Sequence, residues 1–439
     1  MKKILIVLAV LSVMQTVDAQ VKSPADAKKA VEAAEEAAQN EKKATKPATW
    51  LKLAKAYMDA YAAPVGNVWV GAGKQELQLI MGNEKPSSTE NVTLAGEPYT
   101  KDVYKNKNLY FNNAGVLAVI EVTKPVYKNA LGKALDAYSK AYETDVKKSK
   151  EKDVVEGLRT IASKYQEDAM TQYMLGNLAE ASKCFERAAA AAATAPSDAV
   201  DSMAVYNAGF TAWMAGDNER AKKFFKKSIA INYVEGGEAY AKLADVYTKL
   251  DEGENAKDVL EKGFAAYPEN QSILIGLINY YITSGENTDR LFELLDEAKK
   301  NEPNNASLYY VEGDIHSKLG HKEEAIASYL KSNEINPDYE FGLIGVGILY
   351  YNEAIELQDK AASELDDAKY MALIDEFEKV LMNAIEPFEA AYKVSKDQSI
   401  KVNIAEYLKN IYYRFRDKDA KFAEGFKKYD EVVKTGVAL

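Results

Sequence analysis

The stretch Ala306–Pro337, ASLYYVEGDIHSKLGHKEEAIASYLKSNEINP, decides the fold. Its apolar and small residues recur at helical spacing on both sides of Gly320, which predicts two helices joined by a short turn. Gly313, Gly320, Ala325 and Ser332 are the small positions, and Tyr309 and Tyr329 the large ones. Small side chains let two paired helices approach closely, while large ones fill the space between one pair and the next. Pro337 closes the unit, because a residue without an N–H cannot carry the helix on.

The same spacing returns along the chain. A copy starting near Gly237 offers Tyr240, Leu243, Ala244, Tyr247, Ala256, Leu260, Gly263 and Pro268. One near Ser202 has Gly209, Gly216, Ala221, Phe225 and Ser228, and one near Ile161 has Tyr165, Ala169, Gly176, Ala181, Phe185 and Ala188. The copy from Gln271 carries Tyr281 and Gly285, then slips by one residue to Leu295, Ala298 and Pro303. Together these neighbouring copies resemble the tetratricopeptide repeat, a hairpin of about 34 residues in two helices. The resemblance implies an all-α fold, a right-handed α–α superhelix of stacked hairpins whose concave face is lined by the first helices.

Two further copies are interrupted. The first opens with Trp50, Leu53, Ala54 and Tyr57 and resumes at Ala134, Tyr138 and Ala141. The second opens with Leu343, Gly347 and Tyr350 and resumes at Ala384, Phe388 and Ala391. Residues 352–383 keep helical periodicity, which predicts longer helices there, and Pro387 should kink the second one. The expected organisation is therefore a leader at 1–19 and an N-terminal helix with half a hairpin at 20–61. An insertion at 62–127 and the other half-hairpin at 128–145 follow. Five repeats then occupy 146–338, an extended repeat 339–396 and a degenerate capping pair 397–439. Ser23 should cap the first mature helix, with Pro24 in its first position and Asp26 as the reciprocal acceptor.

The insertion changes character. Lys74–Met81 predicts a short helix, and strands are expected at Ser88–Leu94, Tyr99–Tyr104, Leu109–Asn112 and Val116–Val122. Asn112-Asn113-Ala114-Gly115 supplies a hairpin turn. This small α+β module resembles the helix-plus-three-strand modules of outer-membrane assembly lipoproteins of the BamE type. Trp69, Tyr99, Tyr104 and Tyr110 are either contact residues or the core of the little sheet.

Lys2 and Lys3, the apolar run Ile4–Val13 and Val17-Asp18-Ala19 before Gln20 follow the order of a secretory signal. No Cys follows the apolar run, so the bacterial lipoprotein pattern is missing. The expectation is a periplasmic protein of a Gram-negative bacterium. Cleavage after Ala19 leaves 54 Lys and Arg against 66 Asp and Glu, a net charge of −12. Nucleic acid is excluded as a partner, since phosphates are neutralised by clustered cations.

The chemical inventory is thin. His316 and His321 stand five apart, not at the i, i+4 spacing of a helical zinc site. Gly71-Ala72-Gly73-Lys74 hints at a phosphate loop, but Val68 and Gln75 occupy positions that need Gly and Ser or Thr. Cys184 is the one cysteine and reads as a small buried thiol. No enzyme, metal or cofactor is expected. Asp201-Ser202-Met203 matches the short Asp-Ser/Thr-apolar pattern of O-glycosylation in some Gram-negative phyla.

Protein or peptide partners are expected instead. In the repeat resemblance, positions 2, 5, 9 and 12 point into the concave groove. They place Met203, Tyr206, Phe210 and Trp213 there, joined by Met170 and Tyr173, with Asp245, Asn279, Tyr310 and Asp314 making a polar, acidic continuation. The rival reading is that the aromatics pack within the protein. Position 5 carries no Lys, so the carboxylate clamp of some repeats is not expected, and an acidic groove favours neutral or basic partners. A second expectation attaches the chain to the outer membrane or peptidoglycan through the insertion, as an assembly component.

Overall fold

The computed structural model describes residues 21–284 and 289–438. The expected leader and Gly285 lie outside them. The chain divides into two compact units, Met1–Tyr233 and Val234–Leu439.

The first unit opens with α1 (Pro24–Gln39). Ser23 Oγ accepts the Asp26 N–H at 3.2 Å and donates to the Asp26 carboxylate at 2.7 Å, so the start of the helix is capped. A single turn, α2 (Glu41–Ala44), leads to α3 (Pro47–Ala62). The partner of α3 is α5 (Ala130–Thr144), which the chain reaches only after the insertion. Leu51, Ala54 and Tyr57 share one core with Ala134, Ala137 and Tyr138 across that gap. Two hairpins follow, α6 (Glu151–Met174) with α7 (Leu178–Ala192), and α8 (Ser202–Met214) with α9 (Asn218–Ala230). Helix α6 starts ten residues before the repeat spacing requires. Its added turns bury Val154, Gly157 and Leu158, and Gly157 receives the ring of Tyr138 from α5.

Within the insertion, α4 (Lys74–Met81) sits beside an antiparallel meander, β1 (Ser88–Leu94), β2 (Glu97–Val103), β3 (Lys107–Phe111) and β4 (Leu117–Val122). Strand β2 begins two residues earlier than the sequence suggests. Ala95 and Gly96 both take positive φ, 51° and 85°, which is the turn that lets Leu94 pair directly with Glu97. Pro98 is tolerated because β3 pairs with β2 only from Thr100 onward. The sheet has four strands where the lipoprotein resemblance implies three. Every residue of β3 is buried, and Leu109 and Phe111 pack with Leu77 of α4 in a core of their own. At the β3–β4 turn Asn112 Oδ1 accepts the Ala114 and Val116 N–H groups, and Gly115 takes the positive φ.

The second unit stacks α10 (Glu238–Lys249) with α11 (Gly253–Ala266), α12 (Gln271–Ser284) with α13 (Asp289–Asn301), and α14 (Ala306–Lys318) with α15 (Lys322–Ile335). Next comes the long α16 (Glu340–Ser363), which packs on both α17 (Asp367–Asn383) and α18 (Ile385–Val394). The kink expected at Pro387 is a break at Ala384. The proline ring clashes with the carbonyl four residues back, which is that of Asn383, the last residue of α17. The unit ends with α19 (Gln398–Phe415) against α20 (Ala420–Thr435). Among the described residues no helix is long and apolar enough to cross a membrane.

A Cβ placed on Gly157 would lie 2.2 Å from the ring of Tyr138, itself buried with nowhere to move. Gly157→Ala should therefore destabilise the protein by about 1–3 kcal/mol, as overpacked cores do. At Gly132 the added methyl meets only the flexible side chain of Asn129. Gly132→Ala should be neutral, or stabilising by up to about 1 kcal/mol, since alanine is the better helix former. Thermal melts followed by circular dichroism separate the two; equal melting temperatures would contradict the packing account.

Candidate functional site

The aromatic strip expected on α8 exists, but much of it faces inward. Tyr206 and Phe210 stack at 6.3 Å, and Phe210 meets Trp213 at 5.9 Å. Tyr206 also lies edge-on to Phe225 of α9 and to Tyr233. Phe210 is only 4 % exposed, so it is a core residue and not a contact surface. Met170, Tyr173, Met203 and Trp213 are half-buried, and Met170 packs on the core of the unit. Met214, which the repeat positions do not select, is the more accessible neighbour. Asp201 caps α8 through the Ala204 N–H and accepts from Gln166 Nε2, which places Ser202 in the first helical turn.

The polar continuation resolves into internal pairings. Asp245 takes the Lys249 ammonium at 2.7 Å, and Asn279 Oδ1 takes that of Lys318 at 3.0 Å. Asp314 accepts the hydroxyls of Tyr329, at 2.6 Å, and Tyr310. Burial raises the Asp314 carboxyl above the usual range, against the pull of those two donors. His316 stacks on Phe292 at 4.8 Å with His321 beyond it, and among the described residues no group of three His, Cys, Asp or Glu could hold a metal. In the insertion Tyr110 is buried and donates to Glu121, Tyr99 and Tyr104 are half-buried, and Trp69 is exposed.

A more open site lies between α16 and α19. It is a half-open groove of about 550 Å³. Helix α16 supplies Phe341, Ile344, Ile348 and Tyr351; α19 supplies Ile400, Asn403, Tyr407 and Asn410, with Ile404 and Glu406 beside them. On each helix the first four residues named are spaced by three, four and three, so they form one ridge. The walls are fixed from behind. Tyr407 stacks on Phe388 at 4.9 Å and meets the edge of Tyr351 at 5.1 Å. Phe388 in turn rests on Gly347, where a Cβ would come within 2.7 Å of the ring. At one end Phe341 continues into Tyr339 and Tyr310. If Gly347 is counted as position 8 of its interrupted copy, Phe341, Ile344, Ile348 and Tyr351 fall on positions 2, 5, 9 and 12. The signal was in the sequence, because Gly347 already marks position 8 of that copy.

The family comparison bears on these hairpins. A model of the tetratricopeptide repeat matches residues 237–270 and 306–339. The chain carries tetratricopeptide repeats. The matched segments are the α10–α11 and α14–α15 hairpins, and the hairpins around them repeat the same packing of small residues against rings. No curated protein matches the chain. Solved structures with some likeness include a tetratricopeptide repeat protein from Parabacteroides merdae, 14 % identical over 64 % of this chain and 93 % of that one, with a TM-score of 0.34. YrrB, described as a repeat protein with an unusual peptide-binding site, is 19 % identical over 48 % and 97 %, with a TM-score of 0.30. MamA is 20 % identical over 42 % and 96 %, with a TM-score of 0.28.

One titratable group in the repeats stands apart. Asp168 of α6 accepts the Tyr61 hydroxyl of α3 at 2.7 Å, with the buried Cys184 thiol of α7 close by. Burial pushes the Asp168 carboxyl up to about 6, although the Tyr61 hydrogen bond opposes it, and burial likewise raises Cys184 to about 11. A raised carboxyl binds its proton more tightly in the native state than in the unfolded chain. Its contribution is thus fully present below about pH 4 and is lost as pH rises through about 6. Asp168→Asn keeps an acceptor for Tyr61 and removes the charge. It should raise stability at pH 7 by about 1–2 kcal/mol and flatten the fall between pH 4 and 7. Urea titrations across that range test this; an unchanged slope would refute the assignment.

Proposed function

We propose that this protein is a periplasmic scaffold or adaptor that holds other proteins through its repeat hairpins. The observation that carries the reading is the α16–α19 groove, apolar along the α16 ridge, mixed along the α19 ridge and accessible, whereas Tyr206, Phe210 and Tyr310 of other first helices are engaged internally. Exposed apolar clefts on stacked hairpins are where an extended segment or helix of a partner docks. The periplasmic location is supported by the order of charge, apolar run and small residues at 1–19. A charge at Ile348 should block docking, and because Ile348 also packs on the edge of the core, the variant's thermal melt must show that it stays folded. Affinity capture from envelope extracts with the wild type and Ile348→Asp is the test. The wild type should enrich a defined set of proteins that the variant loses; the same proteins on both would remove the groove from the account.

A second reading has its own support, in the exposed apolar residues of the insertion. Trp69, Val70, Leu79 and Ile80 face solvent, Leu79 with 85 % of its surface. Such a surface on an inserted module suits attachment to the outer membrane or to a peptidoglycan-associated assembly. Replacing all four by serine should move the protein from the envelope fraction to the soluble one. Unchanged fractionation of the variant would dismiss this reading.

A further inference from the structure

Resting on the groove reading above, we propose that the occupant of the α16–α19 groove is an extended peptide segment with a Lys or Arg flanked by apolar side chains. Three observations set its chemistry. The α16 wall, with Phe341, Ile344, Ile348 and Tyr351, is apolar apart from the Tyr351 hydroxyl, so part of the occupant must be apolar too. The α19 wall is mixed. Asn403, Glu406 and Asn410 are exposed, and none has a hydrogen-bond or ion-pair partner among the described residues.

Each Asn side chain offers one acceptor and an amide donor, which is what a peptide unit requires. Asn403 and Asn410 stand seven residues apart on one helix, about 10 Å along its axis. That is about three residues of extended chain. A docked helix satisfies its own backbone and has no use for the two amides. An extended segment needs partners for its N–H and C=O groups once it leaves water.

Glu406 lies between the two amides, without a cation. It sits in the acidic part of the chain. Residues 234–439 hold 24 Lys and Arg against 40 Asp and Glu, a net charge of −16, whereas residues 1–233 hold 32 against 27, a net charge of +5. The excess of carboxylates draws cationic segments toward this unit and repels acidic ones. Glu406 then gives the attracted cation one fixed place, between two apolar contacts.

The test uses the purified protein and three fluorescent nine-residue peptides. Each has a central Leu-X-Leu in a Gly/Ser background, with X as Lys, Gln or Glu. By fluorescence anisotropy the Lys peptide should bind at least tenfold tighter than the Gln peptide, and the Glu peptide more weakly than either. Glu406→Gln should bring the Lys and Gln peptides within twofold of each other. Asn403→Ala with Asn410→Ala should weaken all three several-fold. A general attraction to the acidic unit would survive the loss of one carboxylate, so an undiminished Lys preference in Glu406→Gln overturns the proposal. Equal binding of all three peptides that Ile348→Asp abolishes also overturns it, while leaving the groove as a docking site. Binding that Ile348→Asp does not touch defeats the groove itself. A helix-stapled Lys peptide binding tighter than the extended one replaces the extended segment by a helix.

Discussion

The architecture depends on one contact made again and again, an aromatic ring seated on a helical glycine of the neighbouring helix. Tyr138 covers Gly157, Tyr329 covers Gly313 and Gly345, Phe388 covers Gly347 and Tyr412 covers Gly425, and each would lie within 2.8 Å of an added Cβ. Such a contact brings two backbones to the separation at which a hairpin can also bury its outer face on the next one. It fixes spacing and rotation together, because a ring filling a glycine notch cannot slide along the helix. The small-residue periodicity of the sequence is this notch read in one dimension.

The rings are mostly tyrosine, 29 of them against 13 phenylalanines, and the hydroxyl explains the choice. Tyr57 donates to Glu35, Tyr61 to Asp168, Tyr281 to Glu261, Tyr329 to Asp314, and both Tyr412 and Tyr429 to Glu389. In each case the ring body fills the space between helices while the hydroxyl emerges at the edge, where a carboxylate from another helix waits. Burial, and then the carboxylates, hold the phenols of Tyr57, Tyr61, Tyr329, Tyr412 and Tyr429 above their ordinary range, and burial likewise pushes Tyr138 and Tyr165 up to about 12. The carboxylate-bonded phenols are protonated donors at neutral pH. This also explains why Asp314 was legible as a groove residue in the repeat frame yet serves as an internal acceptor.

The helical hairpins were legible because their spacing is dictated by backbone approach, which leaves little freedom in residue size at Gly313, Ala325 or Ser332. The α+β character of the insertion was legible too, through alternation and the Asn112–Gly115 turn. The start of β2 was not, because Ala95 at positive φ is an exception to residue preference that only its pairing with Gly96 sustains. The site was read less well than the fold. Position in a repeat tells which way a side chain leaves the helix, not what meets it. Phe210 leaves toward the expected groove and is buried; Ile348 leaves the same way and stays half-buried, lining a groove. The repeat frame places Ile348 as readily as Phe210, since the turns added to α16 come after Tyr351.

What separates those two positions is the supply of partners nearby. Around Phe210 the ring ladder is complete, since Tyr206, Trp213, Phe225 and Tyr233 occupy one another's faces and edges. Around Ile348 the ladder stops at Tyr351 and Tyr407, which meet edge-on, with Phe388 stacked behind Tyr407. The ridge facing them across the groove ends in asparagine and glutamate instead of another ring. A protein that needed only to fold would gain from an apolar residue at Asn403 or Asn410, closing the cleft as the α8 strip is closed. Polar groups with no internal use, placed beside apolar walls that are held rigid, keep the cleft open and leave its hydrogen bonds to be made by something else.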